Sequence, residues 1–416
     1  MKPLELWGGI ECTVNRVGDR WLDQVERTGH HARGGDLERI AALGIRTLRY
    51  PLLWERTAPD RPDRPDWRWA DERLARLRAL GIRPIAGLLH HGSGPRYAGM
   101  LDFGFAEAAA DFAGRAAERY PWIDAWTPVN EPLTTARFSA LYGHWYPHRS
   151  DDLSFARALL AQCRAVALCM RAVRAVRQDA KLVQTEDLAK THSVPALRYQ
   201  ADFENERRWL TGDLLTGRVS RAHPMGDWLL WLGVEARELM WFADNPCPPD
   251  IMGFNHYATS ERFLDDDLER YPPGLRGGNG RHAYADTEAV RVDRAAGPEA
   301  LLLEAHARFG LPLALTEAHL GCTREEQMRW LAELWNAAKG ARAAGADVRA
   351  VTAWALLGAY DWDTLATRAE GSYEAGAFDV RGPRPRPTGI AFLLRQLAEV
   401  GEPRHPVLDT PGWWRR

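Results

Sequence analysis

Short apolar runs alternate with longer segments of helical periodicity from near the start of the chain to near its end. The strand-like runs are Leu4–Ile10, Ile45–Leu53, Ile82–Leu89, Ile123–Val129, Lys181–Thr185, Ile251–Tyr257, Leu313–Thr316 and Val348–Leu357. The helix-like segments are Asp36–Leu43, Ala70–Leu80, Phe105–Tyr120, Leu153–Arg177, Ala196–Leu215, Pro298–Phe309, Arg324–Ala344 and Gly389–Val400. A closed barrel needs eight β-then-α units. The pattern therefore predicts an α/β fold, a single (β/α)8 TIM barrel over residues 1–416.

Glycine follows several of the helix-like segments directly before the next strand, as in Leu43-Gly44-Ile45, Leu80-Gly81-Ile82 and Phe309-Gly310-Leu311. Glycine supplies the left-handed residue that ends many helices. A doubly wound open sheet would show the same joints, but no G-x-G-x-x-G follows the first strand. Two segments, near 258–297 and 363–388, have little periodicity and follow strand ends, where we expect active-site loops.

Charge and cysteine usage exclude several classes of function. The 54 basic and 56 acidic residues give a net charge of −2, which offers no reason to expect nucleic acid or an anionic membrane as partner. The five cysteines form no C-x-x-C pair, which fits a reducing compartment. Met1–Glu11 lacks a basic region followed by an apolar stretch, and no uncharged run is long enough to span a bilayer. We therefore expect a cytoplasmic location.

Ionisable side chains recur where the predicted strands end, which is where barrel enzymes place their active sites. They include Glu11, Arg49, His90, His91, Glu131, Glu186, Asp187, Tyr257, Glu317, His319 and Asp361. Glu131 follows the fourth strand and Glu317 the seventh, positions that face each other across a barrel mouth. These two carboxylates are therefore the first candidates for chemistry.

The residues around this pair resemble glycoside hydrolase family 1, the β-glucosidase family. Six matches occur in order: the stretch from Arg49 to Arg56, His90 through Pro95, Trp126 through Pro132, Asp250 through Tyr257, Thr316-Glu317, and Trp354 through Trp362. Each match is short, but together they extend along most of the chain. The resemblance implies a retaining hydrolase that removes a terminal β-linked sugar from a small β-glycoside or oligosaccharide, without a cofactor.

The resemblance also implies a role for each matching residue. Glu131 would be the general acid/base and Glu317 the nucleophile. Arg49 and Tyr257 would hold Glu317 as an anion, and Asn130 would donate to the sugar 2-hydroxyl. The expected substrate-binding residues are Glu11, His90, Asn255, Trp354, Asp361 and Trp362. Retaining hydrolysis needs the two carboxyl groups about 5 Å apart, one charged and one protonated.

Three departures from the family pattern concern sugar recognition and leave the catalytic pair intact. Ala318-His319 follows the nucleophile in place of asparagine-glycine. Glu11 lies near the position of a first-strand glutamine, and Asp361 replaces a glutamate with a side chain one methylene shorter. Among aryl β-glycosides, a glucoside is the first substrate we expect.

Other interpretations of these residues remain open. Asn130-Glu131-Pro132 could simply begin a helix, with asparagine as its cap. His90-His91 could suggest a metal, but the first strand lacks the His-x-His that a metal-dependent barrel usually has, so we expect no metal. Glu186-Asp187 could contact substrate or cap the helix that follows. A transglycosidase or a non-catalytic carbohydrate-binding barrel would fit the same residues, and the oligomeric state is not readable from the sequence.

Overall fold

Eight parallel strands form a closed barrel in the computed structural model, which describes residues 3–416. Met1 and Lys2, part of the segment in which no secretory signal is expected, lie outside the described residues. The strands are β1 (Glu5–Gly9), β2 (Thr47–Pro51), β3 (Arg83–His90), β4 (Ala125–Asn130), β5 (Lys181–Asp187), β6 (Ile251–His256), β7 (Leu313–Ala318) and β8 (Val348–Ala353). Each pairs with its neighbour along the chain, and β1 closes the ring on β8. The predicted (β/α)8 fold is confirmed, and all eight strands overlap the predicted runs.

The main helices follow the strands as the periodicity predicts. They are α1 (Asp36–Ala41), α2 (Arg68–Ala79), α3 (Phe105–Arg119), α4 (Asp152–Val176), α5 (Arg198–Arg207), α6 (Leu210–Leu215), α7 (Pro298–Phe309), α8 (Arg324–Ala343) and α9 (Gly389–Val400). The segment predicted as one helix over Ala196–Leu215 consists of two helices, α5 and α6. Gly310 ends α7 with φ of 66°, and its N–H donates to His306 O, so glycine acts there as predicted.

Side chains from six strands fill the interior of the barrel. Trp7, Ile85, Ala125, Val183, Ala314 and Ala350 form one buried cluster. A barrel packed in this way has no axial pore, so ligands bind at its mouth. The mouth is the end to which the carboxyl termini of the strands point.

Helix α4 is long and apolar enough, by length and composition, to meet the criteria for a membrane span. In the structure, 67% of its most apolar window is buried. It packs extensively along α3 and against β4, and a core helix meets the same criteria. Its apolar character is accounted for by this packing.

The two segments predicted as loops contain short strands that the sequence analysis did not predict. Strands Glu261–Asp265, Arg276–Gly278 and Ala283–Glu288 form a small sheet with Lys190–Ser193. In the other segment, Tyr373–Glu374 pairs with Ala359–Tyr360, and Phe378–Asp379 pairs with Arg386–Pro387. These strands are short, and several lack apolar alternation. Backbone pairing more than a buried face defines them, so hydrophobic periodicity does not mark them. Two helices, Gly226–Trp231 and Ala236–Asp244, and a hairpin of Val14–Val17 with Arg20–Asp23 were also not predicted.

Candidate active site

Glu131 and Glu317 line one cavity of about 380 Å³ at the mouth of the barrel. Glu131 directly follows β4, and Glu317 lies near the end of β7, so the barrel brings together side chains that are far apart in the sequence. Both residues are buried, with 5% and 2% of their surface exposed. A cavity of this size matches the sites that bind small molecules.

Glu317 is held at both carboxylate oxygens. Arg49, on the buried strand β2, donates from Nη1 to Glu317 Oε1 over 2.8 Å and to Thr316 O over 2.7 Å. The hydroxyl of Tyr257 donates to Glu317 Oε2. Arg49 also lies 4.7 Å from the ring centroid of Trp354. The arginine and tyrosine predicted to hold this carboxylate therefore contact it directly.

Glu131 has no cationic partner at hydrogen-bond distance among residues 3–416. Its Oε1 accepts a hydrogen bond of 2.6 Å from Asn255 Nδ2, and His91 Nε2 lies 3.8 Å from its Oε2. Its backbone adopts the left-handed conformation, with φ of 45°, and its N–H donates to Thr185 O. This turn carries the chain from β4 into the helix Pro132–Ala136, so the residue both begins that helix and faces the cavity.

The surroundings of Glu131 and Glu317 give the two carboxyl groups different proton affinities. Burial raises the pKa of Glu131 well above its usual value, and the negative charges of Glu317 and Asp187 raise it further. Burial also raises the pKa of Glu317, to about 7, but the Arg49 charge and the Tyr257 hydrogen bond act against that rise. When the pair holds one proton, that proton therefore belongs on Glu131, the partner without a cation.

Asn130 is linked to Glu317 through Arg49. Its Oδ1 accepts hydrogen bonds from Arg49 Nη2 over 2.7 Å and from Thr185 Oγ1 over 2.8 Å. Its Nδ2 lies 3.4 Å from His90 Nε2 and 3.3 Å from His91 Nε2. The amide is thus fixed in orientation, although Asn130 itself is almost fully buried and does not line the cavity.

Four of the predicted site residues line the cavity beside the pair: Glu11, Tyr257, Trp354 and Trp362. Glu11 accepts hydrogen bonds from Thr13 N over 2.8 Å and Trp354 Nε1 over 3.3 Å. Burial raises the pKa of Glu11, and these hydrogen bonds act against the rise. The indole rings of Trp354 and Trp362 give the cavity apolar walls suited to the C–H face of a sugar.

Three residues predicted to bind substrate lie behind the cavity surface. His90 stacks on Trp354 with ring centroids 5.3 Å apart, while its neighbour His91 lines the cavity. Asn255 supports Glu131 and accepts a hydrogen bond from Thr316 Oγ1, so its amide is occupied by the protein. Asp361 is fully buried, forms an ion pair with Arg27 and accepts from Ser372 N over 2.8 Å.

The structure separates the roles of Glu186 and Asp187, which the sequence left open. Glu186 accepts from Leu133 N over 2.8 Å, Thr134 N over 3.3 Å and Thr211 Oγ1 over 2.7 Å. It thus caps the short helix after Glu131, and not the helix after its own strand. Asp187 lines the cavity and accepts a hydrogen bond of 2.6 Å from Ser260 Oγ.

Two further polar residues of the cavity wall, His319 and Glu374, were not assigned a role from the sequence. The sequence marks His319 as an ionisable residue at the end of the seventh strand, where the family 1 pattern has asparagine-glycine after the nucleophile. Glu374 lies in the segment predicted as a loop, where no motif marks it. No group of three or more histidines, cysteines or acidic residues suited to a metal ion occurs within residues 3–416.

Comparisons with known proteins relate the chain to β-glucosidases, although no protein-family model matches it. It is 21% identical to β-glucosidase 47 of Arabidopsis thaliana, covering 92% of this chain and 78% of that protein. It is 24% identical to β-glucosidase 4 of Oryza sativa subsp. japonica, covering 86% and 82%, and 24% identical to thermostable β-glucosidase B of Thermobispora bispora, covering 86% and 78%.

The fold is similar to that of solved β-glucosidases over nearly its whole length. The family 1 β-glucosidase of Thermotoga maritima superposes with a TM-score of 0.75 at 15% identity, covering 97% of this chain and 99% of that one. The complex of the Thermotoga maritima enzyme with noeuromycin gives a TM-score of 0.76 at 16% identity, with the same coverage. The similarity thus includes the barrel and the segments that surround its mouth.

Proposed function

We propose that this chain, a divergent relative of the family 1 β-glucosidases, hydrolyses a terminal β-linked sugar from a small glycoside with retention of configuration. The observation that carries the proposal is the unequal environment of two buried carboxyl groups in one cavity. Glu317 is bonded to Arg49 and Tyr257, whereas Glu131 is bonded to an amide. Retaining hydrolysis requires this combination of one anion and one acid.

In the first step, Glu317 attacks the anomeric carbon while Glu131 protonates the departing glycosidic oxygen. The Arg49 hydrogen bond, over 2.8 Å to Oε1, and the Tyr257 hydroxyl at Oε2 favour the anionic form and fix its direction. Because the pKa of Glu131 is raised by burial and by nearby negative charge, it holds the proton that the leaving group needs.

In the second step, water replaces the leaving group. Once Glu317 is esterified its negative charge is lost, so the pKa of Glu131 falls and its carboxylate can accept a proton from water. Attack of that water on the anomeric carbon releases the sugar and restores the Glu317 anion. The same residue thus serves as acid and then as base because its neighbour changes charge.

The cavity wall supports a sugar as the substrate. A space of about 380 Å³ with indole rings from Trp354 and Trp362 suits a single sugar ring, which has polar edges and an apolar C–H face. A glucoside is the first choice, since the relatives found by sequence are named β-glucosidases.

A screen of 4-nitrophenyl β-glycosides tests the proposal: glucoside, galactoside, fucoside, mannoside, xyloside and glucuronide. We expect turnover of at least one, with loss of about 10⁴-fold or more in Glu317→Ala, as befits removal of a nucleophile. Glu131→Ala should retain glycosylation of activated substrates and be partly rescued by azide. Glu370→Ala, which removes an exposed carboxylate of a surface ion pair, is the matched control.

The outcomes separate the competing functions. Wild-type rates in both Glu131→Ala and Glu317→Ala on a verified substrate would contradict the assignment. Products formed preferentially with an added alcohol would indicate a transglycosidase that uses the same intermediate. Saturable sugar binding in calorimetry without any turnover would indicate a carbohydrate-binding barrel.

A further inference from the structure

Glu374 and His319 form a polar pair on the cavity wall that the proposed mechanism does not use. His319 Nε2 lies 2.8 Å from Glu374 Oε2, and His319 Nδ1 lies 3.1 Å from the carbonyl oxygen of Trp354. Because a carbonyl oxygen can only accept, Nδ1 carries a hydrogen and the ring orientation is fixed. The 2.8 Å contact between Nε2 and Oε2 then needs a second hydrogen, so His319 carries a hydrogen on both nitrogens wherever Glu374 is ionised, and the pair holds Oε2 in place.

The strand pairing at Glu374 and the close approach of Gly321 define where the Glu374 side chain lies. The two-residue strand Tyr373–Glu374 pairs with Ala359–Tyr360, and Ala359–Tyr360 is the strand that comes shortly after β8. Gly321 faces the carboxylate: a Cβ there would lie 2.7 Å from Glu374 Oε2 and 2.9 Å from Oε1. A side chain at position 321 would therefore have to displace the carboxylate from its present place.

One oxygen of this carboxylate remains available to a ligand. His319 occupies Oε2, and among the contacts of residues 3–416 no hydrogen bond reaches Glu374 Oε1. The side chain keeps 22% of its surface exposed in a residue that lines the cavity. An ionised carboxylate has about four acceptor positions, so most of its capacity is unused by the protein.

Asp361, the acid that the family resemblance assigns to sugar binding, is not available in the same way. It is fully buried, and its oxygens face Arg27 and Ser372 N. Withdrawing it from the half-buried Arg27 would leave the fully buried Asp361 carboxylate without its cation, which is costly. Of these two acids, Glu374 is therefore the one with an oxygen open to the cavity.

We propose that Glu374, positioned by His319, is a specificity-determining residue that accepts hydrogen bonds from hydroxyl groups of the bound sugar. This inference rests on the proposed function, because it concerns the sugar in the same cavity. Its ligand class is a neutral sugar with free hydroxyl groups on the edge that faces Glu374. A sugar with an anionic substituent on that edge offers no hydrogen to Glu374 Oε1 and is disfavoured.

A cycle of substrate and enzyme changes tests the assignment. We would measure kcat/KM of wild type and Glu374→Ala on 4-nitrophenyl β-glucoside and on its 3-, 4- and 6-deoxy analogues. A hydrogen bond to a charged group corresponds to roughly 10- to 100-fold in kcat/KM. For wild type, we expect kcat/KM to fall by that factor on at least one deoxy analogue relative to the parent glucoside. Glu374→Ala should lose the same factor on the parent glucoside, but removing the hydroxyl should then lower its kcat/KM by less than about 3-fold.

Further variants distinguish recognition from a general structural effect. Glu374→Gln keeps the shape and an acceptor oxygen, so we expect a smaller loss, with the same analogue affected. His319→Ala should weaken the same discrimination, since it frees the carboxylate, and Glu370→Gln on the same loop should leave it unchanged. Deoxy effects equal in wild type and Glu374→Ala would overturn the inference while leaving the proposed function standing.

Binding provides a readout that does not depend on turnover. We expect calorimetry with deoxynojirimycin, a sugar-like inhibitor, to show at least about 10-fold weaker binding in Glu374→Ala than in wild type. Equal affinities would overturn the inference. If no glycoside in the screen were hydrolysed, the proposed function would fail, and this binding difference would still decide whether Glu374 recognises sugar hydroxyls.

Discussion

Arg49 Nη1 and Glu317 Oε1 lie 2.8 Å apart, with both side chains almost fully buried. A charge in an apolar strand needs a partner, and the structure places the partner at the end of β7, across the barrel from β2. Arg49 is thereby tied to the candidate nucleophile and, through its other nitrogen, to Asn130. The pair links the stability of the barrel mouth to the chemistry proposed for it.

Replacing Arg49 tests this link. Arg49→Met removes the charge that lowers the pKa of Glu317, so that pKa should rise further. The nucleophile must be ionised, so the acid limb of kcat/KM should move to higher pH and activity at neutral pH should fall by about 10²-fold or more. A pH profile on an aryl β-glucoside measures both effects. An unchanged acid limb would contradict the role of Arg49 as partner of the nucleophile.

The wild-type pH profile should be bell-shaped with its acid limb close to neutral pH. Burial raises the pKa of Glu317 to about 7, so kcat/KM should increase as the pH rises through that region and the nucleophile ionises. It should then fall at higher pH, where Glu131 loses the proton it donates. With a substrate that needs no acid, such as a dinitrophenyl glycoside, the basic limb should disappear. A profile that declines from pH 5 upward would contradict the assignment.

The raised pKa of Glu131 has a consequence for stability. A buried acid whose pKa is higher in the folded than in the unfolded chain favours folding at low pH, and this contribution is lost as the pH rises through the folded pKa. Glu131→Gln removes the ionisable group, so we expect its Tm to exceed that of wild type at pH 9 and to differ less at pH 5. Thermal unfolding followed at both pH values checks this. A Tm lower than wild type by the same amount at both would contradict it.

The sequence predicted the barrel and the meeting of Glu131 and Glu317 at its mouth because both have local signals. Alternating apolar runs mark the strands, and the ends of those strands bring Glu131 and Glu317 to one mouth. The family resemblance assigned Arg49 and Tyr257 to Glu317, and both side chains contact it in the structure.

The positions of Asp361 and Glu374 could not be predicted in this way. Whether Asp361 faces the cavity depends on Arg27, more than 300 residues earlier, which holds it in the protein interior. Glu374 reaches the cavity through a pairing of two-residue strands that no periodicity marks. Contacts of this kind depend on loop geometry and on the side chains of distant segments, which local patterns do not specify.

Glu186 should affect activity through Glu131, because the Glu186 carboxylate holds the turn that follows Glu131. The carboxylate accepts from Leu133 N and Thr134 N, which lie in the helix that Glu131 begins. We expect Glu186→Ala to lower kcat/KM by about 10- to 100-fold on a methyl or alkyl glucoside, which needs the acid, and much less on a dinitrophenyl glucoside. The two substrates control for folding, because misfolding would reduce both equally. Equal losses would mean a purely structural role.

The charges around the cavity should exclude anionic sugars. Glu11, Asp187, Glu317 and Glu374 contribute carboxyl groups to its wall, whereas Arg291 is already paired with Glu288 and His319 with Glu374. A uronic acid or a sugar phosphate would add negative charge to a buried site where repulsion is poorly screened. We therefore expect aryl β-glucuronide and aryl 6-phospho-β-glucoside to have kcat/KM at least about 100-fold below the glucoside. Comparing 20 mM with 500 mM salt separates repulsion at the cavity entrance, which salt weakens, from repulsion inside it, which salt affects little. Turnover of either anionic substrate at the rate of the glucoside would contradict the charge assignment of this wall.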